Sequence, residues 1–333
     1  MAHITILGEG AWGTAIATVL AHNGHRVKLW CHDAQVARAI ENEHINHRYM
    51  PGVVLSDLIE PTSALQEAVR GAHWICEAIP VAYLRSVLQQ VLPFVSADQQ
   101  WIVLSKGIEQ HTLKFPTQII DDVLQCVPTK AVLAGPTFAH ELAHKKISAA
   151  TIAVADCEIG VRVKQLFETD YLKTYISTDQ IGVQAGSALK NVIALAIGML
   201  DGAGYGQNAK ACMLTRGLHE IVVLCTLLGG RAETVYGLSG VGDLVLTAMG
   251  TLSKNMHVGQ MLAQGKSVDE ILQTTGFIPE GINTVESVHL LMQKYQVDLP
   301  LCRLVAAVIH KKMSVQDLVT QMMNQHVLQE CEF

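Results

Sequence analysis

The first half of the chain alternates short apolar runs with segments that have a helical period. Apolar runs such as Ile4–Leu7 predict buried strands, and the period of Trp12–His22 predicts a helix that ends at Asn23-Gly24. Repeated alternation of this kind, with continuously apolar strands, predicts a parallel sheet that helices cover on both faces. The predicted strands are Ile4–Leu7, Val27–Trp30, Trp74–Ala78, Trp101–Leu104, Ala131–Ala134, Ser148–Val154 and Leu172–Ile176. The predicted helices between them are Trp12–His22, Ala34–Glu41, Ser63–Arg70, Ala82–Val91, Phe115–Leu124 and Glu158–Phe167.

After Ser177 the strand pattern stops and long apolar-periodic stretches follow. This change predicts a second, all-helical domain whose boundary lies near residues 176–182. The predicted helices are Gly182–Leu200, Ala209–Leu228, Gly240–Ala248, Asn255–Gln264, Val268–Thr274, Thr284–Tyr295, Leu301–His310 and Val315–Met323. We therefore expect an α/β domain at residues 1–180 and a helical domain at residues 181–333.

Composition narrows the class of protein. With 333 residues, half of them hydrophobic, the chain is long and apolar enough for two packed domains. A net charge of −6 argues against a general nucleic-acid or anionic-membrane binder. We expect no signal peptide and no membrane-spanning stretch. The eight cysteines form no C-x-x-C pair and no metal-ligand spacing, which indicates reduced thiols, no metal site and a cytoplasmic protein.

The strongest motif closes the first predicted strand and opens the first predicted helix. Gly8-Glu9-Gly10-Ala11-Trp12-Gly13 has the G-x-G-x-x-G spacing of a dinucleotide site. Gly8 permits the tight turn, Gly10 lets the backbone approach a pyrophosphate, and Gly13 allows close packing of helix on strand. The free N–H groups of the helix N-terminus favour an anion there. The first half is therefore predicted to be a Rossmann-type domain.

The end of the second strand bears on the choice of cofactor. An NAD-specific site usually has an acid there that binds the ribose 2′-hydroxyl, but this strand ends Trp30-Cys31-His32 and Asp33 is the expected N-cap of the next helix. His32 could instead hydrogen-bond a 2′-phosphate. The sequence indicates that NADPH is accepted and that NADH is possible, and it does not settle the preference between them.

Two lysines stand out as candidates for chemistry. Lys106 follows an apolar strand at the ligand edge of the sheet, and Lys190 lies beside Asn191 inside a highly apolar helix. Desolvation and neighbouring cations lower the pKa of such a lysine, as a lysine general base requires. Four further turns carry polar groups, namely Gly135–Ala139, Gly240–Asp243, Ser253–Asn255 and Pro279–Gly281.

Together these motifs resemble one family over nearly the whole chain, the bacterial type of NAD(P)-dependent glycerol-3-phosphate dehydrogenase. The resemblance implies reversible hydride transfer between NADPH or NADH and C2 of dihydroxyacetone phosphate or sn-glycerol 3-phosphate, which supplies glycerophospholipid synthesis. Lys190 matches the family's proton acceptor, Lys106 matches a lysine shared by cofactor and substrate, and Asp243 is expected to orient Lys190 or a substrate hydroxyl. Other matches to substrate contacts are Gly135, Thr137, Ser253, Lys254 and Asn255. Matches to cofactor contacts are Gly8, Gly10, Trp12, Gly13, His32, Lys106, Ala139, Lys254, Ile278 and Glu280.

Two positions depart from the family pattern. Position 254 is usually arginine, and Lys254 predicts a looser grip on phosphate because lysine does not bind it bidentately. The strand before Pro80 is usually apolar but carries Glu77 here, to which the sequence assigns no role.

Other functions remain open from the sequence. One alternative is a related Rossmann dehydrogenase of the 3-hydroxyacid or 6-phosphogluconate type, and another is a non-catalytic nicotinamide-sensing protein. The expected partner is a small phosphorylated substrate, without nucleic acid or membrane insertion, and the apolar helical surfaces are compatible with a homodimer.

Overall fold

A computed structural model describes residues 3–125, 129–250, 252–275 and 279–324. The chain divides into two compact units. The first comprises residues 1–105 and 115–180, and the second comprises residues 106–114 and 181–333. The short segment Lys106–Lys114 thus groups with the helical unit, although its neighbours on both sides belong to the sheet unit. The functional roles of the two domains stay predictions.

The first unit is an eight-stranded sheet with helices in its connections. Its strands are β1 His3–Leu7, β2 Arg26–Trp30, β3 Ile59–Thr62, β4 Trp74–Glu77, β5 Gln100–Val103, β6 Lys130–Ala134, β7 Ser148–Ala153 and β8 Leu172–Ser177. Its helices are α1 Ala11–His22, α2 Ala34–Glu43, α3 Leu65–Val69, α4 Val81–Val91, α5 Pro116–Leu124, α6 Ala139–Ala143 and α7 Cys157–Phe167, with a 3₁₀ turn at Leu92–Phe94.

The strand order places the ligand edge at the start of the chain. The sheet runs β3-β2-β1-β4-β5-β6-β7-β8, so the connections reverse direction between β1 and β4. Leu7 pairs with Trp30 of β2 on one side and with Glu77 of β4 on the other. The residues that follow these three strands therefore share one edge, where open α/β sheets bind ligands. The predicted Rossmann-type, mostly parallel sheet is confirmed.

Two details of the sheet differ from the prediction. Strand β7 pairs antiparallel with β6. The helix between them, α6, has five residues and a length of about 7.5 Å, whereas a five-residue strand spans about 16 Å, so it does not return the chain to the other end of the sheet. Strand β3 is absent from the prediction because Pro61 breaks its pattern; as an edge strand it tolerates a proline.

Helix α1 shows how local sequence sets the element bounds. Its core-facing residues, among them Ile16, Val19 and Leu20, are completely buried against the sheet. The helix ends as expected at Asn23, and Gly24 adopts a φ of 77°, the left-handed conformation that glycine accepts without strain.

The second unit is helical throughout its described residues after 180. Its helices are α8 Gln180–Gly202, α9 Gln207–Leu227, α10 Ala232–Val235, α11 Asp243–Met249, α12 Lys254–Ala263, α13 Val268–Thr275, α14 Glu280–Tyr295, α15 Pro300–Ile309 and α16 Val315–Met323. The predicted helix Gly240–Ala248 is instead a π turn at Leu238–Gly242 followed by α11. The glycines of this turn, including Gly240 packed on Val235, allow a close approach that a regular helix would not make.

Helix α8 is the centre of this unit. Every residue from Gly182 to Leu200 is buried. By length and composition α8 could cross a membrane, which corrects the expectation that no stretch is apolar enough. Its apolar window is completely buried within the chain, as in the core helix of a globular domain.

The contact between α8 and α12 predicts a stability effect. A Cβ on Gly198 would lie closer than 3.0 Å to the Met256 carbonyl oxygen. We expect Gly198→Ala to lower the free energy of unfolding by about 1–3 kcal/mol, because the two backbones would have to separate. Denaturant unfolding measures it. Gly206→Ala is the control, since Gly206 has a φ of −75° and open space around its Cβ position; equal stability of the two variants would contradict the packing argument.

Candidate active site

The glycine turn after β1 has the geometry of a dinucleotide cradle. Gly8 adopts a φ of 118°, and a Cβ on Gly13 would overlap the Gly8 carbonyl oxygen, so both positions require glycine. Nothing lies within 4 Å of the Cβ position of Gly10, which leaves its backbone accessible. No side chain caps the N-terminus of α1, so its first N–H groups can bind an anion. These residues fit the pyrophosphate of a nicotinamide dinucleotide.

A cluster of charged side chains forms in the second unit. Lys190 of α8 donates a hydrogen bond to Asp243 Oδ1 at 2.5 Å, and Lys106 donates to Asp243 Oδ2 at 2.7 Å. The backbone places Asp243 at the first position of α11, directly after the π turn. One carboxylate is thereby held between two ammonium groups, and the three residues that the sequence predicted as catalytic lie together.

Lys106, Lys190 and Asp243 form a lysine cluster, and Thr247, which is not among the predicted site residues, completes it. Its hydroxyl donates to the Asp243 carbonyl oxygen at 2.6 Å and accepts from Lys190 Nζ at 2.8 Å. Because Thr247 lies four residues after Asp243 on α11, both side chains face the same side of the helix. The i, i+4 spacing from a predicted site residue is the signal that could have identified it.

Burial sets the ionisation of the lysine cluster. Desolvation lowers the pKa of Lys190 to about 8, with the Asp243 charge opposing this shift and the Lys106 charge adding to it. Burial alone would raise the pKa of Asp243, but the charges and hydrogen bonds of the two lysines together lower it below its usual range. The cluster therefore holds an ionised carboxylate beside an amine that can gain or lose a proton near neutral pH.

The predicted phosphate-binding residues lie near the start of α12. Ser253 caps this helix by accepting from the Met256 N–H at 3.2 Å, and Lys254 is exposed at its first position. Asn255 is buried, where it donates to Asn191 Oδ1 at 3.0 Å and accepts from the Gly281 N–H at 3.1 Å. Ser253 and Asn255 thus have structural partners already, and their contact with substrate stays a prediction.

Glu280 begins α14 and is electrostatically coupled to the lysine cluster. Burial raises the pKa of Glu280, while the charges of Lys106, Lys190 and Lys254 oppose the rise. The three predicted lysines therefore act on this partly buried carboxyl through their charges, and its contact with cofactor stays a prediction. Ile278 lies outside the described residues.

The remaining predicted residues belong to the sheet unit. Trp12 donates to the Leu104 carbonyl oxygen at 3.1 Å, and the His32 side chain is exposed after β2. Gly135 requires glycine because a Cβ would overlap Ala149 and Ala150 of β7. Thr137 is buried and donates to the Gly135 carbonyl oxygen, and Ala139 begins α6. No contact among the described residues tests their predicted roles in binding.

Among the described residues, no group of three or more His, Cys, Asp and Glu side chains could hold a metal ion. Of the six described cysteines, four are buried and two are exposed, and none forms a disulfide.

Glu77 ends β4 at the ligand edge and is fully buried. Its carboxyl accepts from the Ser105 hydroxyl at 2.6 Å and from the Ile79 N–H at 3.4 Å. Burial raises the pKa of Glu77 to about 8, although these hydrogen bonds oppose the rise. Glu77 therefore fastens the end of β4 to the segment that leads from β5 into Lys106.

A Rossmann-type sheet with a glycine turn is typical of nicotinamide-dependent dehydrogenases, and a buried lysine paired to a carboxylate fits the proton transfer that such enzymes need. Models of the N-terminal and C-terminal parts of the NAD-dependent glycerol-3-phosphate dehydrogenases match residues 3–159 and 179–320. The chain belongs to this family of oxidoreductases, whose cofactor is NADH or NADPH.

Individual relatives agree with the family. The chain is 39% identical over 328 residues to a glycerol-3-phosphate dehydrogenase (NAD(P)+) of Nitratidesulfovibrio vulgaris strain DP4, covering 98% of this chain and 99% of the relative. It is 38% identical to that of Bacillus thuringiensis strain Al Hakam, covering 97% and 96%. The crystal structure of the glycerol-3-phosphate dehydrogenase from Coxiella burnetii superposes with a TM-score of 0.93 at 30% identity, covering 97% of this chain and 99% of that one. A ketopantoate reductase from Ralstonia eutropha shares only the fold, at 16% identity and a TM-score of 0.64.

The raised pKa of Glu77 predicts a pH dependence of stability. The unfolded chain loses this proton near pH 4.5 but the folded protein retains it to about pH 8, so stability falls as pH rises through that window. In Glu77→Gln this contribution disappears. We expect the melting temperature of the variant, relative to wild type, to rise between about pH 5 and about pH 8. A difference that stays constant over this range, measured by calorimetry, would show that Glu77 is ionised in the folded protein.

Proposed function

We propose that this protein interconverts dihydroxyacetone phosphate and sn-glycerol 3-phosphate with NADH or NADPH, and that Lys190 moves the proton in this reaction. The observation that carries the proposal is the buried Lys190 amine, hydrogen-bonded to Asp243 and Thr247. A dehydrogenase needs such a group at the substrate oxygen, because the oxygen gains or loses a proton as the carbon exchanges hydride.

We assign cofactor binding to residues of the first unit and proton transfer to residues of the second. The turn Gly8–Gly13 and the N-terminus of α1 would hold the pyrophosphate of the cofactor. When bound, the nicotinamide supplies or accepts the hydride at C2 of the substrate. Neutral Lys190 takes the proton of the C2 hydroxyl in oxidation, and protonated Lys190 returns it to the ketone oxygen in reduction.

Lys190 is prepared for proton transfer by three neighbouring side chains, those of Asp243, Thr247 and Lys106. Asp243 and Thr247 use two of the hydrogens on the ammonium group, so the remaining N–H has a defined direction in which to meet the substrate oxygen. Lys106 adds a second positive charge, which stabilises negative charge on that oxygen in a site of low dielectric.

The substrate phosphate is assigned to the start of α12. Lys254 is exposed there and supplies a cation, and Asn255 supplies a remaining amide hydrogen. The proposed roles of Thr137 and Gly135 in substrate binding, and of Trp12, His32, Ala139, Ile278 and Glu280 in cofactor binding, follow from the family resemblance.

The cellular role follows from the product. We propose that the protein works in the cytoplasm and supplies glycerol 3-phosphate for glycerophospholipid synthesis. It would act on a small phosphorylated substrate without nucleic acid and without membrane insertion, and two copies could form a homodimer through apolar helical surfaces.

Loss of the Lys190 amine should separate chemistry from binding. We expect Lys190→Ala to lower kcat for dihydroxyacetone phosphate reduction by about 10²–10⁴-fold, the usual contribution of general acid–base catalysis. Cofactor affinity, measured by quenching of protein fluorescence, should be unchanged. Turnover at the wild-type rate in this variant would remove Lys190 from its proposed role.

The pH dependence of reduction and of oxidation also tests the role of Lys190. With a Lys190 pKa of about 8, reduction should slow and oxidation should accelerate as pH rises through that value, because the two directions need opposite protonation states. Profiles with the same slope in both directions would contradict the assignment.

Lys254 tests the phosphate site. Lys254→Ala should raise KM for dihydroxyacetone phosphate about tenfold or more with little change in kcat, because a charge-assisted contact made equally in ground and transition states is lost. Lys254→Arg is the matched control and should keep or lower KM, since arginine can bind phosphate bidentately. If wild type used unphosphorylated dihydroxyacetone as well as the phosphate, the phosphate site would be misassigned.

A further inference from the structure

The Glu9 side chain extends from the glycine turn to the end of β2 and places its carboxylate there. Glu9 Oε2 accepts from the His32 N–H and Glu9 Oε1 accepts from the Asp33 N–H, both at 3.1 Å. The Glu9 side chain is buried. A buried carboxylate is stable only with such hydrogen bonds, so this pair of backbone amides is its binding site within the chain.

The direction of the Glu9 side chain is set by its own backbone. The Glu9 carbonyl oxygen accepts from Asn46 Nδ2 at 2.8 Å and from the Thr14 hydroxyl at 3.0 Å. Asn46 is completely buried and also donates to Thr14 Oγ1 at 2.8 Å. Because Gly8 precedes Glu9 in a left-handed conformation, the turn is constrained on both sides. The carboxylate is therefore a fixed part of the turn.

The charged groups around Glu9 give the end of β2 a net negative charge. The Asp33 carboxylate accepts from the Gln35 N–H at 2.8 Å as the N-cap of α2 and from Arg48 at 2.9 Å. The Arg48 charge is thus already paired. Burial, followed by the charges of Glu9 and Asp33, raises the pKa of the Cys31 thiol to about 12. The carboxylates of Glu9 and Asp33, which come from different parts of the chain, thus both act on the end of β2.

In Rossmann folds, the groups at the end of the second strand decide between the two nicotinamide cofactors. An acid at the end of the second strand accepts a hydrogen bond from the ribose 2′-hydroxyl, whereas a 2′-phosphate needs N–H donors or cations there. In this chain no acid of β2 itself is available, but Glu9 brings one to the same place and occupies the two amides that could hold a phosphate. Each of its oxygens keeps a lone pair for a hydroxyl.

We propose that Glu9 is the specificity-determining residue of the cofactor site and selects NADH over NADPH. The proposal rests on the proposed dehydrogenase function for its biological meaning, and it decides a preference that the sequence leaves open. Like-charge repulsion and the occupied amides act together against the 2′-phosphate.

Binding of adenosine fragments tests the proposal without any turnover. Adenosine 5′-monophosphate and adenosine 2′,5′-bisphosphate differ only in the 2′-phosphate, and calorimetry measures Kd for each. Wild type should bind the monophosphate more tightly. Glu9→Ala, which frees both amides and removes the charge, should shift the ratio of the two Kd values toward the bisphosphate about tenfold or more. Glu9→Gln should shift it in the same direction.

Two further measurements complete the test. Glu41→Gln removes one charge from an exposed position of α2 and should leave the ratio unchanged, which separates the local effect of Glu9 from net charge. A ratio that is the same in wild type and Glu9→Ala, with both proteins folded by calorimetric melting, would overturn the proposal, as would a wild type that prefers the bisphosphate. Initial rates of dihydroxyacetone phosphate reduction test the function separately: no turnover with either cofactor, but the expected fragment ratio, would overturn the function and support the selectivity.

Discussion

The site depends on one buried carboxylate that accepts a hydrogen bond from each of two ammonium groups. Asp243 is almost completely inaccessible, and each of its oxygens accepts a hydrogen bond from a different lysine. Moving a charge into the interior is costly unless it is paired and hydrogen-bonded. The single Asp243 charge offsets only part of the two lysine charges, and burial does the rest by lowering the pKa of Lys190. The same arrangement thus pairs the buried charges of the helical unit and prepares its central amine for proton transfer.

Other buried carboxylates in this chain are held by backbone amides instead of cations. Glu9 accepts from two amides that precede α2, and Glu220 of α9 accepts from the Leu301 and Cys302 N–H groups at the start of α15. Helix N-termini have free N–H groups and a positive dipole end, so they compensate an acid without a salt bridge. Burial nevertheless raises the pKa of Glu220, with these hydrogen bonds opposing the rise, and it raises the pKa of Glu77 to about 8 against its own hydroxyl and backbone donors. Cations have the opposite effect, because the two lysines lower the pKa of Asp243 below its usual range despite its burial.

Much of the fold can be predicted from local patterns in the sequence. The apolar run of β1, the glycine spacing of the turn and the period of α1 each reflect interactions within about four residues, and their predicted bounds agree with the structure to within one residue. The errors arise where a distant partner matters. Strand β3 is completed by its pairing with β2, and the π turn at Leu238–Gly242 packs closely on Gly186 of α8, where a Cβ would lie 3.1 Å from Gly240 Cα. The sequence neighbours of these residues carry too little information to predict them.

For the site, the residue types were determined by the sequence: a glycine turn for a dinucleotide, a lysine in an apolar helix, and a carboxylate after a flexible turn. Their motifs also sufficed to indicate the family. Only the tertiary structure decided which charges meet, because Lys106, Lys190 and Asp243 are separated by long stretches of chain and are joined by packing alone. The same holds for Glu9, which lies within the glycine motif yet acts at the end of β2. Side-chain direction depends on backbone hydrogen bonds from Thr14 and Asn46, and those bonds form only once the sheet and its loops have assembled.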